Sequence, residues 1–225
     1  MATAMEIIWL GHSSFLIRGK SIKVVTDPFD PKLIGMKFTK TEGDIVTISH
    51  DHPDHNQADL VKGEGEESPF VIFGPGEYEV KGVSVFGVAT YHDEVGGSKR
   101  GKNTVYVIEI DGVKICHLGD LGHKLTDGQL TEIGDVDVLL IPVGGFFTID
   151  AKVASEVVGQ LEPRFVIPMH YKIPGLNKEN FGEINGVDLF LTEMGSGTVT
   201  PIPKLVVTKD KLPEQVQVVL LERKV

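Results

Sequence analysis

The sequence is poor in sulfur: a single cysteine, Cys116, stands among 225 residues. One thiol excludes a disulfide within the chain and fits the reducing conditions of a cytoplasm. It also excludes a cysteine-rich structural zinc site, which needs several thiolates. Long apolar runs are missing as well. No stretch reaches the ~18 residues of a membrane-spanning helix. The opening "MATAMEIIWL" meets Glu6 without the basic segment of a secretory signal. Positive charge is in deficit, with 22 Lys and Arg against 32 Asp and Glu and a net charge of −10. That balance argues against a broad nucleic-acid footprint, which needs a basic face. The expectation is a cytoplasmic protein acting on a small molecule, with neither nucleic acid nor membrane as partner.

What is present is an ordinary globular composition, 41% apolar and 24% charged, over a length that can bury a substantial core. No repeat or linker divides it, so residues 1–225 read as one domain. The first half is a series of short β-branched runs broken by glycine or proline. These are residues 5–11, 14–19, 23–27, 44–49, 70–74, 83–89, 104–110 and 113–118. Asp111-Gly112 joins the last two as a hairpin. The glycine-rich segment 62–69 reads as a solvated turn. In the second half, 136–143 and 165–169 read as strands. Residues 150–163 read as a helix capped by Asp150, with Val153, Ala154, Val157, Val158 and Leu161 on one face, ended by Pro163. "VDLFLT" (187–192), "KLVVT" (204–208) and "VQVVLL" (216–221) suggest edge strands. The last of these could pair across an interface in a homo-oligomer. The pattern predicts an α/β fold of two packed sheets flanked by helices.

The chemistry concentrates in "SHDHPDHN", residues 49–56, with three histidines and two aspartates. Pro53 pushes His52 toward extended backbone, and residues two apart in an extended segment share a side. His50 and His52 can therefore reach one ion. Asp54 and His55, in the helical turn that follows, suit a second. His92, Asp120 and His170 each lie just past the end of an apolar run, as His50 does, and strand ends are where ligands gather in open α/β sheets. The expected division gives His50, His52 and His92 to a first ion and Asp54, His55 and His170 to a second, with the Asp120 carboxylate between them. Imidazole and carboxylate donors suit Zn²⁺, with Mn²⁺ or Fe as alternatives. Two such ions would lower the pKa of a bridging water and present hydroxide to a carbonyl or phosphorus centre. Asp54 and Asp120 are the expected catalytic carboxylates.

"HDHPDH", followed by His92, by Asp120 in "HLGDLGH" and by His170 in "IPMHY", resembles the metallo-β-lactamase superfamily. The blocks "WLGHSSFLI" and "GPGEYEV" are similar to its compact branch, which includes L-ascorbate-6-phosphate lactonase and uncharacterised Zn-dependent hydrolases. The resemblance runs from about residue 6 to residue 172. It implies a four-layer αββα sandwich with a dinuclear centre at one edge, and the same division of ligands. The chain departs from many members at Asn56-Gln57, where they carry x-Gly.

Other residues near these motifs have two readings each. His12 either lines the site or serves its own turn. Glu77 and Tyr78 either face the pocket or belong to a tight bend. Arg100, in the basic stretch "GSKRGK", either receives an anion or is solvated. His117 and His123 are expected to support the site by hydrogen bonding, and Cys116 to be a small buried apolar residue. The function expected is metal-dependent hydrolysis of an ester, lactone or phosphoester in a small anionic substrate. Its rivals are a nucleic-acid phosphodiesterase of the same fold and a non-hydrolytic metal-binding or redox protein.

Overall fold

The computed structural model describes residues 4–65 and 67–225. One sheet is built largely from the N-terminal third: β1 (Met5–Gly11), β2 (Ser14–Arg18), β3 (Lys23–Thr26), β5 (Ile45–Ile48) and β7 (Phe70–Phe73). Two short strands, β4 (Thr41–Glu42) and β6 (Val61–Lys62), pair with each other beside it. The second sheet takes β8 (Gly76–Val80), β9 (Val83–Tyr91), β10 (Lys102–Ile110), β11 (Val113–His117), β12 (Val138–Pro142) and β13 (Phe165–Met169). The C-terminal strands β14 (Leu205–Val207) and β15 (Gln217–Val218) complete one sheet each. Strand orders are β14-β1-β2-β3-β5-β7 and β15-β13-β12-β11-β10-β9-β8.

Side chains alternate across a strand, and both faces of the first sheet use that alternation. Met5, Ile7 and Trp9 of β1, with Phe15 and Ile17 of β2, point into the core shared with Val85, Tyr106, Ile108 and Ile115 of the second sheet. Ile8, Leu10 and Leu16 point the other way. They meet Phe29 and two short helices, α1 (Pro31–Ile34) and α4 (Lys178–Phe181), through Ile34 and Phe181. On the far side, α3 (Ala151–Leu161) lies on β12 and on α5 (Asp188–Glu193), and α2 (Asp127–Ile133) lies against β9. The layers are therefore αββα. In α3 the Asp150 carboxylate accepts from the Val153 N–H, and Ala154, Val157, Val158 and Leu161 are buried as the spacing predicts. The helix stops at Glu162, in left-handed backbone at φ 44, one residue before Pro163.

Three expectations need correction. The run 187–192 is not a strand: Asp188–Glu193 form helix α5, with Phe190 and Leu191 buried where α5 meets α3. Glu77 and Tyr78 lie in β8, paired with Phe86 and Val85 of β9, so they are not bend residues. The 216–221 run is an edge strand as expected, but a shorter one, Gln217–Val218, paired with β13 of the same chain. Thr126-Asp127-Gly128-Gln129 starts a helix that the apolar pattern did not reveal; Thr126 and Gln129 cap it reciprocally. No helix among the described residues is long and apolar enough to cross a membrane.

The sheets are tied by a buried phenol. Tyr106 of β10 donates to the Ile48 carbonyl and accepts from the Gly74 N–H, each at 2.9 Å. Removing one oxygen strands two backbone groups between the sheets. Tyr106→Phe is expected to lower unfolding stability by about 1–3 kcal/mol, read from urea denaturation; an unchanged midpoint would show that water replaces the phenol.

Candidate metal centre

Strand direction places the site. In each sheet the alternating antiparallel pairs leave β1, β3 and β5 running one way, as do β9, β11, β12 and β13. Their C-terminal ends share one rim. His12 follows β1, Asp27 follows β3, Ser49 and His50 follow β5, His92 follows β9, Asp120 lies past β11 and His170 follows β13.

Three overlapping groups on this rim bring donor atoms within 4.8 Å of one another: His12, Asp54, His55 and His170; His50, His52 and His92; and His50, His55 and Asp120. All seven residues expected as ligands are thus brought together. Asp120 Oδ2 stands 3.3 Å from the Nε2 atoms of His55, His92 and His170, and 3.9 Å from that of His50. His12 joins the group, its Nε2 3.2 Å from Asp54 Oδ2.

Asp27 was not singled out by its sequence context. Fully buried, it accepts at Oδ1 from the Ser49 N–H (2.8 Å) and at Oδ2 from the Ser49 hydroxyl (2.6 Å) and from His55 Nδ1 (2.8 Å). Because the Ser49 hydroxyl gives its proton to Asp27, it accepts from His50 Nδ1 at 2.9 Å. Both rings are therefore anchored at Nδ1–H, and the Nε2 atoms face the rim. Those two Nε2 atoms, both nitrogens of His170, His92 Nδ1 and Asp120 Oδ1 are buried without a hydrogen-bond partner. Unpaired buried groups are costly, and here six of them belong to five neighbouring residues of the rim. A divalent cation satisfies such a donor set, and these residues fit one.

Electrostatics point the same way. Burial alone would raise the carboxyls of Asp27, Asp54 and Asp120, yet neighbouring imidazoles hold all three below the usual range. Burial, followed by the charge on His55, pushes His50 down to about 2. Burial, with His170 beside it, pushes His12 down to about 4. Burial also lowers His92. His55 alone goes up despite its burial, because Asp120 and Asp54 flank it. A site that holds three carboxyls below their usual range and raises His55 favours positive charge, which a dication supplies.

The loops that present these groups are built by close approach. Gly119, at φ +56, and Gly122 flank Asp120; a Cβ on either would collide with Ser49 and Asn103 or with the His92–Asp93 backbone. Asn103 accepts the Asp120 N–H at 2.9 Å and donates to the Leu118 carbonyl at 2.9 Å, fixing that loop from β10. His117 behaves as expected. Its Nε2 meets the Ser13 carbonyl at 2.8 Å and its Nδ1 accepts the Gly119 N–H at 3.2 Å, so it carries its proton on Nε2 and supports the rim. His123 accepts the Tyr91 N–H at 3.2 Å, holding the strand just before His92. Glu77 is exposed, and Tyr78 packs on the core and donates to the Gly74 carbonyl at 3.1 Å. Neither belongs to the clustered donors. Cys116 is fully buried and burial raises its thiol, in line with an apolar filler.

The fold and the rim define a class, the metal-dependent hydrolases of αββα architecture. Residues 6–170 match the model of the beta-lactamase superfamily domain. A metal-dependent hydrolase of the UPF0173 group from Thermococcus onnurineus is 34% identical over 192 residues, covering 74% of this chain and 84% of the relative. A crystal structure from Thermotoga maritima, provisionally assigned as a Zn-dependent hydrolase of the metallo-beta-lactamase superfamily, superposes with TM-score 0.76 at 40% identity, covering 96% of this chain and 98% of that one. The fold extends to Igni18, a metallo hydrolase from Ignicoccus hospitalis, at TM-score 0.66 and 22% identity, covering 91% and 98%. The chain belongs to the beta-lactamase superfamily, among its UPF0173 metal-dependent hydrolases.

Two outcomes test the centre. Asp27→Asn, which weakens the anchor on His55 and Ser49, is expected to cut metal affinity by about 10–100-fold in chelator competition while the circular dichroism spectrum stays unchanged. Metal uptake at pH 7 is expected to release protons, with the raised His55 among their sources. Calorimetry in buffers of different ionisation enthalpy reads that release, and a buffer-independent heat would contradict it.

Proposed function

We propose that this chain, read as one domain over residues 1–225, holds two divalent ions, with Zn²⁺ the best-suited metal. His50, His52 and His92 would hold the first and Asp54, His55 and His170 the second, with Asp120 between them. The observation that carries this reading is the pair of anchored rings: His50 and His55 are fixed at Nδ1 and present unpartnered Nε2 atoms beside Asp120. When bound, such ions supply Lewis acidity and bring the pKa of water down to about 7.

The chain's own residues do the rest. Asp120 has His55, His92 and His170 each 3.3 Å from one oxygen, which keeps it ionised and central. Asp54 keeps its carboxylate against His12 at 3.2 Å and would orient an attacking water. Buried imidazoles on several sides exclude bulk solvent and keep these charges strong. The reaction proposed is hydrolysis of an ester, lactone or phosphoester in a small anionic molecule. The acidic balance, −10 overall, favours such a substrate over a nucleic acid, whose binding needs a basic face.

Metal content per chain is the decisive measurement, made by elemental analysis on protein purified without chelator. About two ions are expected in the wild type, with loss of metal and of turnover in Asp120→Ala and His92→Ala. Lactone, phosphomonoester and phosphodiester model substrates then separate the bond types. A wild type that takes up no metal on reconstitution would end this reading.

A further inference from the structure

Beside His50 and His52 the rim opens into a hollow of about 480 Å³ whose walls differ in kind. One wall is apolar: Phe73, 57% exposed at the end of β7, and Pro75. The lining also carries Arg100 and Lys102. Among the described residues neither cation has a carboxylate partner, although the chain as a whole has ten more negative than positive charges. Two cations lining one cleft focus a local positive field there, which attracts an external anion. Asp51, the carboxylate on this rim, is engaged by the Asn56 amide at 2.7 Å.

Arg100 is also held in position. One N–H donates to the Phe146 carbonyl at 2.9 Å, and its guanidinium carbon lies 5.6 Å from the centre of the Phe147 ring. Its backbone is fixed by Asp93, the residue after His92. The Asp93 carboxylate accepts the N–H groups of Val95, Gly97, Lys99 and Arg100 at 2.7–3.0 Å. Spacing from His92 to the guanidinium is therefore set by one closed loop. Of the five guanidinium donors, most remain for a ligand, in the forked geometry that suits a carboxylate or phosphate.

We propose that Arg100, assisted by Lys102, is the specificity-determining residue of this site. The ligand class it selects is an oxyanion, carboxylate or phosphate, carried on an apolar group that lies against Phe73 and Pro75. This rests on the reading of the rim as a hydrolytic centre and narrows its substrate to amphiphilic organic anions. Plain inorganic anions lack the part that Phe73 would cover, and neutral esters lack the part that Arg100 would hold.

The test is binding, independent of turnover. Hexanoate, hexyl phosphate, acetate and hexanol are titrated by calorimetry into protein purified without chelator, for wild type, Arg100→Ala and Phe73→Ala. Hexanoate or hexyl phosphate is expected to bind more tightly than acetate. Arg100→Ala should weaken that six-carbon anion by about tenfold, in the range of a hydrogen bond to a charged group, and leave hexanol unchanged. Phe73→Ala should erase the advantage of hexanoate over acetate. A collapsed loop would weaken hexanol as well, which separates anion recognition from a structural role. The proposal is overturned if Arg100→Ala binds both six-carbon anions like wild type, or if neither binds more tightly than acetate. Metal content, measured on the same samples, judges the hydrolytic reading separately: an empty wild type refutes that reading, while the titrations still decide the groove.

Discussion

A carboxylate with no access to solvent must be surrounded by donors, and at Asp27 that requirement organises the whole rim. The donors it recruits are the Ser49 amide, the Ser49 hydroxyl and the Nδ1 of His55. All belong to the loop after β5. The hydroxyl, once committed to Asp27, can only accept from His50. A single buried charge thus selects the tautomer of two rings and aims both. Desolvation opposes the arrangement, and the imidazoles offset it only in part, since they cannot all be protonated at once. What the three carboxylates require is concentrated positive charge, and a divalent ion provides it in less volume than any side chain.

The sheets make this concentration possible. Neither contributes enough donors alone: His12, Asp27, Ser49, His50 and the turn to His55 come from the first, while His92, Asp120 and His170 come from the second. Packing their inner faces brings the two sets of strand ends to one edge. Backbone strain is concentrated there as well. His12, Asp27 and His170 have φ of 52, 37 and 51, each a conformation that costs of order 1 kcal/mol or more and persists only where surroundings impose it. The sheets beneath are regular and deeply apolar, and they tolerate that cost.

The ligand cluster was legible because its signals are local or positional: a dense histidine block, and polar residues just past apolar runs. Asp27 obeys the second rule too. It was passed over because, as the last letter of "KVVTD", it looked like a strand terminus with no companion nearby in sequence. Asn103 left no trace at all; it sits inside a strand, and its partners, Leu118 and Asp120, come from a distant loop. The strand Gly76–Val80 could have been read from its alternation, since Tyr78 and Val80 pack on the core while Glu77 and Glu79 face out. Its flanking glycines drew attention to a bend instead. "VDLFLT" is ambiguous in period, as short apolar runs are, and only the presence of α3 makes it helical.

The loop closed by Asp93 also says something about how this chain can change. Its carboxylate grips main-chain amides, so the side chains between residues 94 and 99 are not what gives the loop its course. Gly96, Gly97 and Gly101, at φ 68, 80 and 91, are the positions that the path constrains. The remaining letters are free to drift while His92 stays where it is. Variation can accumulate a few residues from the most constrained part of the molecule without reaching it. A donor-rich edge bordered by such a segment can change what it presents to solvent by substitution rather than by refolding.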